Sequence, residues 1–355
     1  MKMKNIVGLS GEFKSIQIHP SRLCNLSCLH CYSSSSPKAR GALDAALLSE
    51  ALSNAADEGY NYVSVSGGEP LLYQPLGQLL KHAHDIGYKT AIATNGMLLD
   101  EKHIAMLEGV TDLIAVSLDG IPEAHNKIRN SEKAFEKMAS NLEHLRLSKI
   151  PFGFIFTLTQ YNLHELDWVV NFALEQGAEL LQIHPLENNG AAVNNLFDEF
   201  PDRKESAYAY YYSQVISQQI KEELVIQIDY ANKSLVKKQP GLVYAFDPKP
   251  DKDAQLSDCL SRLAIEPDGA IVPIQYGFSR KYVLGDIHKS GFKQMSEDWK
   301  LNKMDDFYRL CEQVYQDIID KSKPFVFNWN EIITKASNCE VEIDIPLRYG
   351  TANTA

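Results

Sequence analysis

A chain of 355 residues, 45% hydrophobic and 23% charged, can bury a core for one large domain and a smaller one. Its formal net charge of −11 argues against nucleic acid or an anionic membrane surface as the main partner. The start, MKMKNIVGLSGEFKSIQIHP, lacks the apolar stretch of a secretory signal, and no apolar run is long enough to span a bilayer; a cytoplasmic protein is predicted.

From residue 13 to 230 short apolar runs alternate with amphipathic segments. The predicted strands are FKSIQIH, YVSVS, KTAIAT, DLIAVSL, FGFIFTL and LLQIHPL, with a further one at LVIQIDY. Between them lie helical stretches, among them DAALLSEALSNAADEG, with Ala46, Leu47, Ala51 and Ala55 at helical spacing. Gly59, Gly87 and Gly177 follow the last periodic residues and suit left-handed caps. Six strand–helix units predict an α/β fold, a partial (β/α)6 TIM-like barrel, with a doubly wound open sheet as the competing architecture. Sites in either fold lie at the carboxyl ends of the strands. Residues 231–258, rich in Pro, Lys and Asp, read as a linker or ordered loop. LAIEPDGAIVPI then reads as a β-hairpin turning at Pro-Asp-Gly, with a helical segment around 294–321 after it. Residues 1–12 form a lead-in and 341–355 a flexible tail. The tyrosines from Tyr208 to Tyr212 read as packing of a helix.

Cys24, Cys28 and Cys31 fall within eight residues, just after the first strand. Clustered thiolates select zinc, copper(I) or iron–sulfur clusters. Structural zinc needs a fourth ligand, from His19, His30 or a distant residue. Three thiolates on a four-iron cluster leave one iron open for a small chelating ligand. Free core thiols are the third reading. One strand later, VSVSGGEPLL places Gly67, Gly68 and Glu69 at a strand end, where close backbone approach and a carboxylate suit a cationic amino group; an ordinary strand-to-helix turn is the bland alternative.

Together, CNLSCLHC and SGGEP resemble the radical S-adenosylmethionine (radical SAM) superfamily, in the branch carrying a C-terminal SPASM or twitch extension. The likeness covers residues from about 15 to 290. It implies that Cys24, Cys28 and Cys31 hold one [4Fe–4S] cluster whose open iron chelates S-adenosylmethionine. It further implies that Gly67, Gly68 and Glu69 contact the methionyl amino group. His30 departs mildly from the aromatic residue usual before the third cysteine. Ser117 and Asp119 in VSLDG resemble ribose and carboxylate contacts. Arg129 is a candidate for carboxylate contact, otherwise a solvated helix-entry residue. Thr157 is a further cofactor-facing candidate, and His184 and Glu187 are candidate catalytic residues on the substrate side.

The resemblance divides the chain into a radical SAM barrel at 13–230, the 231–258 linker and a degenerate extension at 259–340. Cys259 and Gly269 match the extension's pattern, but its second ligand position is Ile274, and Cys311 and Cys339 stand apart. The extension is therefore expected without auxiliary clusters, which favours a redox-neutral rearrangement, an epimerisation, or an oxidation relayed elsewhere. The implied function is reductive cleavage of S-adenosylmethionine and hydrogen abstraction from a peptide or protein side chain. Its reaction class, oxidoreductase, isomerase or lyase, stays open. Alternatives are the same chemistry on a small molecule, and a non-catalytic metal-binding protein. Expected partners are an electron donor such as flavodoxin or ferredoxin. A separate leader-peptide-binding protein is also expected, since only about a dozen residues precede the first strand.

Overall fold

The computed structural model describes residues 13–220, 223–246 and 248–338. The lead-in, the tail and Cys339 lie outside them. Parallel strands β1 (Ser15–Ile18), β2 (Tyr62–Val65), β3 (Lys89–Thr94), β4 (Leu113–Ser117), β5 (Phe152–Leu158), β6 (Leu180–Pro185) and β7 (Val225–Ile228) follow in sheet order. Their joining helices are α1 (Ala45–Asp57), α2 (Leu76–Asp85), α3 (Glu101–Leu107), α4 (Pro122–Arg129), α5 (Ala134–Ser148) and α6 (Leu166–Gln176). The short α7 (Ala192–Asn195) and long α8 (Arg203–Gln219) lead into β7. Strands covered on both faces read as continuous apolar runs, which is why β4 and β5 were legible. Leu113 to Val116 are all buried, as are Phe154 and Phe156.

Beyond β7 come β8 (Ala231–Asn232), α9 (Lys233–Lys238) and α10 (Leu256–Cys259). The stretch expected as linker or loop thus carries structure, and it buries Val236, Val243, Tyr244 and Leu256 against the main core. The hairpin forms as expected from β9 (Arg262–Ile265) and β10 (Ala270–Pro273), antiparallel, and β11 (Gly285–Asp286) continues it. Gly269 takes φ +87° at its turn, and Asp268 Oδ1 accepts from Ala270 N at 3.2 Å. β9 pairs in parallel with β1, Ile16 opposite Leu263, so the hairpin extends the main sheet. The result is one open ten-stranded sheet running from β11 through β1 to β7.

The expected segment at 294–321 is two helices, α11 (Phe292–Asn302) and α12 (Met304–Ile319), because the chain breaks at Lys303. β12 (Val326–Phe327) pairs with β8, and α13 (Trp329–Asn338) packs on α12. In α1 the buried stripe is Leu48, Ala51, Leu52 and Ala55; Ala46 is exposed, one step off the expected face. In α8, Tyr208 and Tyr211 are exposed, while Tyr210 Oη accepts from Asn232 Nδ2 at 2.5 Å. Among the described residues no helix is long and apolar enough to cross a membrane.

Candidate cofactor and substrate site

The loop after β1 and the turn after β2 are fastened together at the carboxyl edge of the sheet. Gly68 N donates to Ser21 O and Glu69 N to Leu23 O, each at 2.9 Å. A Cβ on Gly68 would stand 2.0 Å from the Leu23 carbonyl oxygen, so only glycine fits. Gly67, at φ +106°, also needs the freedom of glycine. The glycine pair therefore lets two backbones touch beside Cys24.

Each of the three thiols has an N–H donor near its sulfur. Leu26 N lies 3.4 Å from Cys24 Sγ, and Ser35 N lies 3.2 Å from Cys31 Sγ. Arg129 Nη1 lies 3.9 Å from Cys28 Sγ. Burial pushes Cys24 up to about 12 and Cys28 up to about 11, so without a compensating cation both stay thiols. Among the described residues no three His, Cys, Asp or Glu side chains gather closely enough to hold one metal ion. Thiolates on a cubane cluster each bind a different iron, so they stand wider apart than ligands on one zinc. Three sulfurs with N–H donors beside them suit the thiolate form that such a cluster needs.

Glu69 is buried and its carboxylate is occupied. Oε1 accepts from Thr94 Oγ1 at 2.7 Å and Leu71 N at 3.2 Å, and Oε2 from Asn95 N at 2.9 Å. Burial nonetheless raises its pKa. It braces the turn after β3 while leaving part of Oε2 for a further donor.

Asp119 is the electrostatic hub. It is fully buried just past β4, and Arg129 Nε donates to its Oδ2 at 2.6 Å. His30 Nε2 stands 3.3 Å from the same oxygen, and Thr157 N donates to Oδ1 at 3.1 Å. Burial alone would raise its pKa; the charge of Arg129, helped by His30, overrides this and holds it far below the carboxylate range. Arg129 ends α4 and is itself buried, which removes the reading of a solvated helix-entry residue. Ser117 and Thr157 are half-buried on adjacent strands, β4 and β5, at the edge of this hub.

The substrate-side candidates stand on the far strands. His184 on β6, level with Thr157, pairs through Nδ1 with Asp229 Oδ2, a partner beyond β7 not foreseen from the sequence. Burial opposes its charge, but Asp229 raises its pKa above the ordinary value. Glu187 follows β6 and is half-buried. Gln275 Nε2 donates to its Oε2 and Asn328 Nδ2 to its Oε1, both at 3.1 Å. Desolvation, then the nearby Glu331 carboxylate, push Glu187 up to about 7.

Ile274, where the extension pattern expects a ligand, is buried at φ +67°, a costly conformation for a β-branched residue. Cys259 and Cys311 are buried and free of disulfides. Sequence reasoning did not find the partners of these groups: Asp229, Gln275, Asn328 and Tyr276 each end a short run whose pattern gives strand or loop and nothing more.

A family model described as the Radical SAM superfamily matches residues 18–173. An "AdoMet-dependent heme synthase" of Methanosarcina barkeri is 32% identical over 158 residues, 44% of this chain and 45% of that one. A "Probable GTP 3′,8-cyclase" of Sulfurisphaera tokodaii is 27% identical over 180 residues, 49% of this chain and 58% of that one. The chain thus spans about half the length of these curated relatives. Among solved structures, Streptococcus suis SuiB bound to precursor peptide SuiA superposes with TM-score 0.63 at 16% identity, covering 82% of this chain and 65% of that one. Native anSMEcpe with bound AdoMet and Cp18Cys peptide gives TM-score 0.61 at 20% identity, covering 91% of this chain and 94% of that one. At such identities the likeness is one of fold.

Proposed function

We propose, from the match of residues 18–173 to the Radical SAM superfamily model, that this chain cleaves S-adenosylmethionine reductively and acts on a peptide or protein side chain. The observation carrying this reading is the fastening of the three-cysteine loop to the Gly67–Gly68–Glu69 turn at one sheet edge. Cys24, Cys28 and Cys31 would hold one [4Fe–4S] cluster, with S-adenosylmethionine as the ligand completing it. When bound, the pair supplies a one-electron cleavage that yields a 5′-deoxyadenosyl radical able to abstract hydrogen.

The chain's own residues position and shield. Leu26 N and Ser35 N lower the cost of negative charge on their sulfurs. Arg129 has five donors; with one on Asp119 and another toward Cys28, the rest are left for a carboxylate. The remaining lone pair of Glu69 suits an amino group. Ser117 and Thr157 line the neighbouring strand ends. His184 and Glu187 face the space where substrate would stand.

Peptide as substrate is supported by the fold likeness, which runs through the C-terminal extension and includes two peptide-bound structures. The small-molecule reading rests on the printed names of the curated relatives, whose match covers 44% and 49% of this chain. In one test, the protein is reconstituted anaerobically with iron and sulfide, reduced, and given S-adenosylmethionine. The expected result is about four irons per chain and release of 5′-deoxyadenosine, with both lost in Cys28→Ala. Colourless protein carrying zinc would instead support the non-catalytic reading.

A further inference from the structure

Where the loop after β10 meets the mouth of the sheet, one carboxylate has no ion pair among the described residues, His184 acting on it only through space. The charges around Glu187 are otherwise matched. Glu331 on α13 pairs with Lys335 at 2.5 Å, and His184 pairs with Asp229. Glu187 has only the neutral amides of Gln275 and Asn328, and no ion pair among the described residues. Neutral donors satisfy its lone pairs without balancing its charge.

The walls of this space are aromatic. Tyr276, next to Gln275, stands 5.5 Å from Tyr32 of the cysteine loop, centroid to centroid. Burial raises the Tyr32 pKa, with the charges of Cys31, Tyr276 and Glu187 adding to the effect, so all four groups lie within electrostatic reach. Behind both rings lies His19, 4.9 Å from Tyr276 and 5.7 Å from Tyr32. His19 is fully buried, and neither ring nitrogen has a hydrogen-bond partner. Orphaned polar atoms of this kind are rare in folded proteins. Burial lowers the His19 pKa to about 3, so the ring is neutral and one nitrogen is an acceptor.

We propose that Glu187, walled by Tyr32 and Tyr276 and backed by His19, is the counter-ion for a cationic side chain of the substrate, an ammonium or guanidinium. An ammonium has three donors and no acceptor, which matches a carboxylate and aromatic faces. Ile274 and Gly277, both at positive φ, make the turn that carries Gln275 and Tyr276. The inference builds on the peptide reading and narrows it to a basic residue.

The sign of the pH dependence follows from the groups facing Glu187: Glu331, Lys335, His184, Asp229, Tyr32 and Tyr276. A cation binds the ionised carboxylate, so affinity rises as pH climbs through about 7 and binding releases the proton. A lysine amine stays charged throughout that range.

The probes are N-acetyl-lysine methylamide, its arginine analogue, and the uncharged isostere N-acetyl-norleucine methylamide. They are titrated into full-length, cluster-loaded protein carrying [δ-13C]glutamate and followed by NMR. A basic probe, and not the norleucine one, is expected to shift a carboxyl signal that Glu187→Gln removes. Its affinity should rise about tenfold from pH 6 to pH 8, lose that dependence in Glu187→Gln, and weaken in Tyr276→Leu. Equal binding of all three probes, or affinity flat with pH in the parent protein, overturns the inference. Both outcomes are read without any variant. 5′-Deoxyadenosine release by the same preparation without probe separates the two claims. Cleavage with no preference for a basic probe sinks this inference alone; a basic preference without cleavage, even when substrate peptides are supplied, sinks the parent reading.

Discussion

Cys24, Cys28 and Cys31 follow β1 while Cys259 precedes β9, its parallel neighbour, so the two sets of cysteines flank opposite ends of one strand pair, and their sulfurs have different surroundings. In the loop after β1 every sulfur has an N–H donor beside it, Leu26 N at Cys24, Ser35 N at Cys31 and Arg129 Nη1 at Cys28, while Cys24 Sγ also donates to Asn25 Oδ1 at 3.8 Å. In the extension, sulfur is the donor, Cys259 Sγ lying 4.0 Å from the Asp251 carbonyl. Burial raises the thiol pKa in both places, to about 11 in Cys28 and in Cys259 alike. Burial therefore does not distinguish the two sets. The N–H donors beside the sulfurs of the loop separate the two sets, because such donors favour a thiolate.

The sharpest way to break this contrast is to remove thiols from each set. Cys28→Ala should lose nearly all bound iron, whereas Cys259→Ala and Cys311→Ala should keep it and lose about 1–3 kcal/mol of stability from cavities. Iron assay and urea denaturation read the two effects separately; iron loss in Cys259→Ala would return an auxiliary ligand role to the extension.

Next in size is Asp119→Asn, which leaves Arg129 buried without its charge partner and should cost about 3–5 kcal/mol. The Asp119 pKa lies below its unfolded value, so its contribution is present above about pH 4 and disappears as pH falls toward the folded pKa. The variant's deficit should accordingly shrink in acid, and an undiminished deficit at pH 3 would contradict the ion-pair account. Gly68→Ala should follow at roughly 1–3 kcal/mol, with a several-fold drop in retained iron as the Leu23 backbone gives way. A fully loaded Gly68→Ala protein would show the close approach to be dispensable.

The smallest effect is expected at Glu187. Its folded pKa is raised, so its stability is fully present below about pH 4 and is lost as pH rises through about 7. Glu187→Gln should flatten that slope and gain about 2–4 °C in melting temperature at pH 8. Parallel melting curves for the two proteins from pH 5 to pH 8 would show the carboxyl to be unstrained.

The seven parallel strands were legible because each is a short apolar run closed by a turn signal. The cysteine loop and the glycine pair were legible because sequence-local spacing carries their chemistry. The hub around Asp119 was not: Arg129 reaches it from α4, whose PEAHNKIR is too polar to announce a packed helix. Pro122 at its first turn was the available sign. Glu187 presented a similar limit, since its partners Gln275 and Asn328 are 88 and 141 residues away. α13 was missed as well, although Asn328 Oδ1 accepts from Glu331 N in the manner of a cap. Pairings set by tertiary contact leave no periodic trace in a single chain.

The parallel register of β9 on β1 has a further consequence for how the chain would age. With β9 and β10 in place, the strand feeding the cysteine loop lies in the interior of the sheet. Cutting the chain before Cys259 would turn β1 into a border with unpaired N–H and C=O groups, the kind of border that recruits neighbouring molecules. It would also open the flank of the loop to dissolved oxygen. The hairpin is the selvedge that keeps the fabric from unravelling beside the cysteine loop.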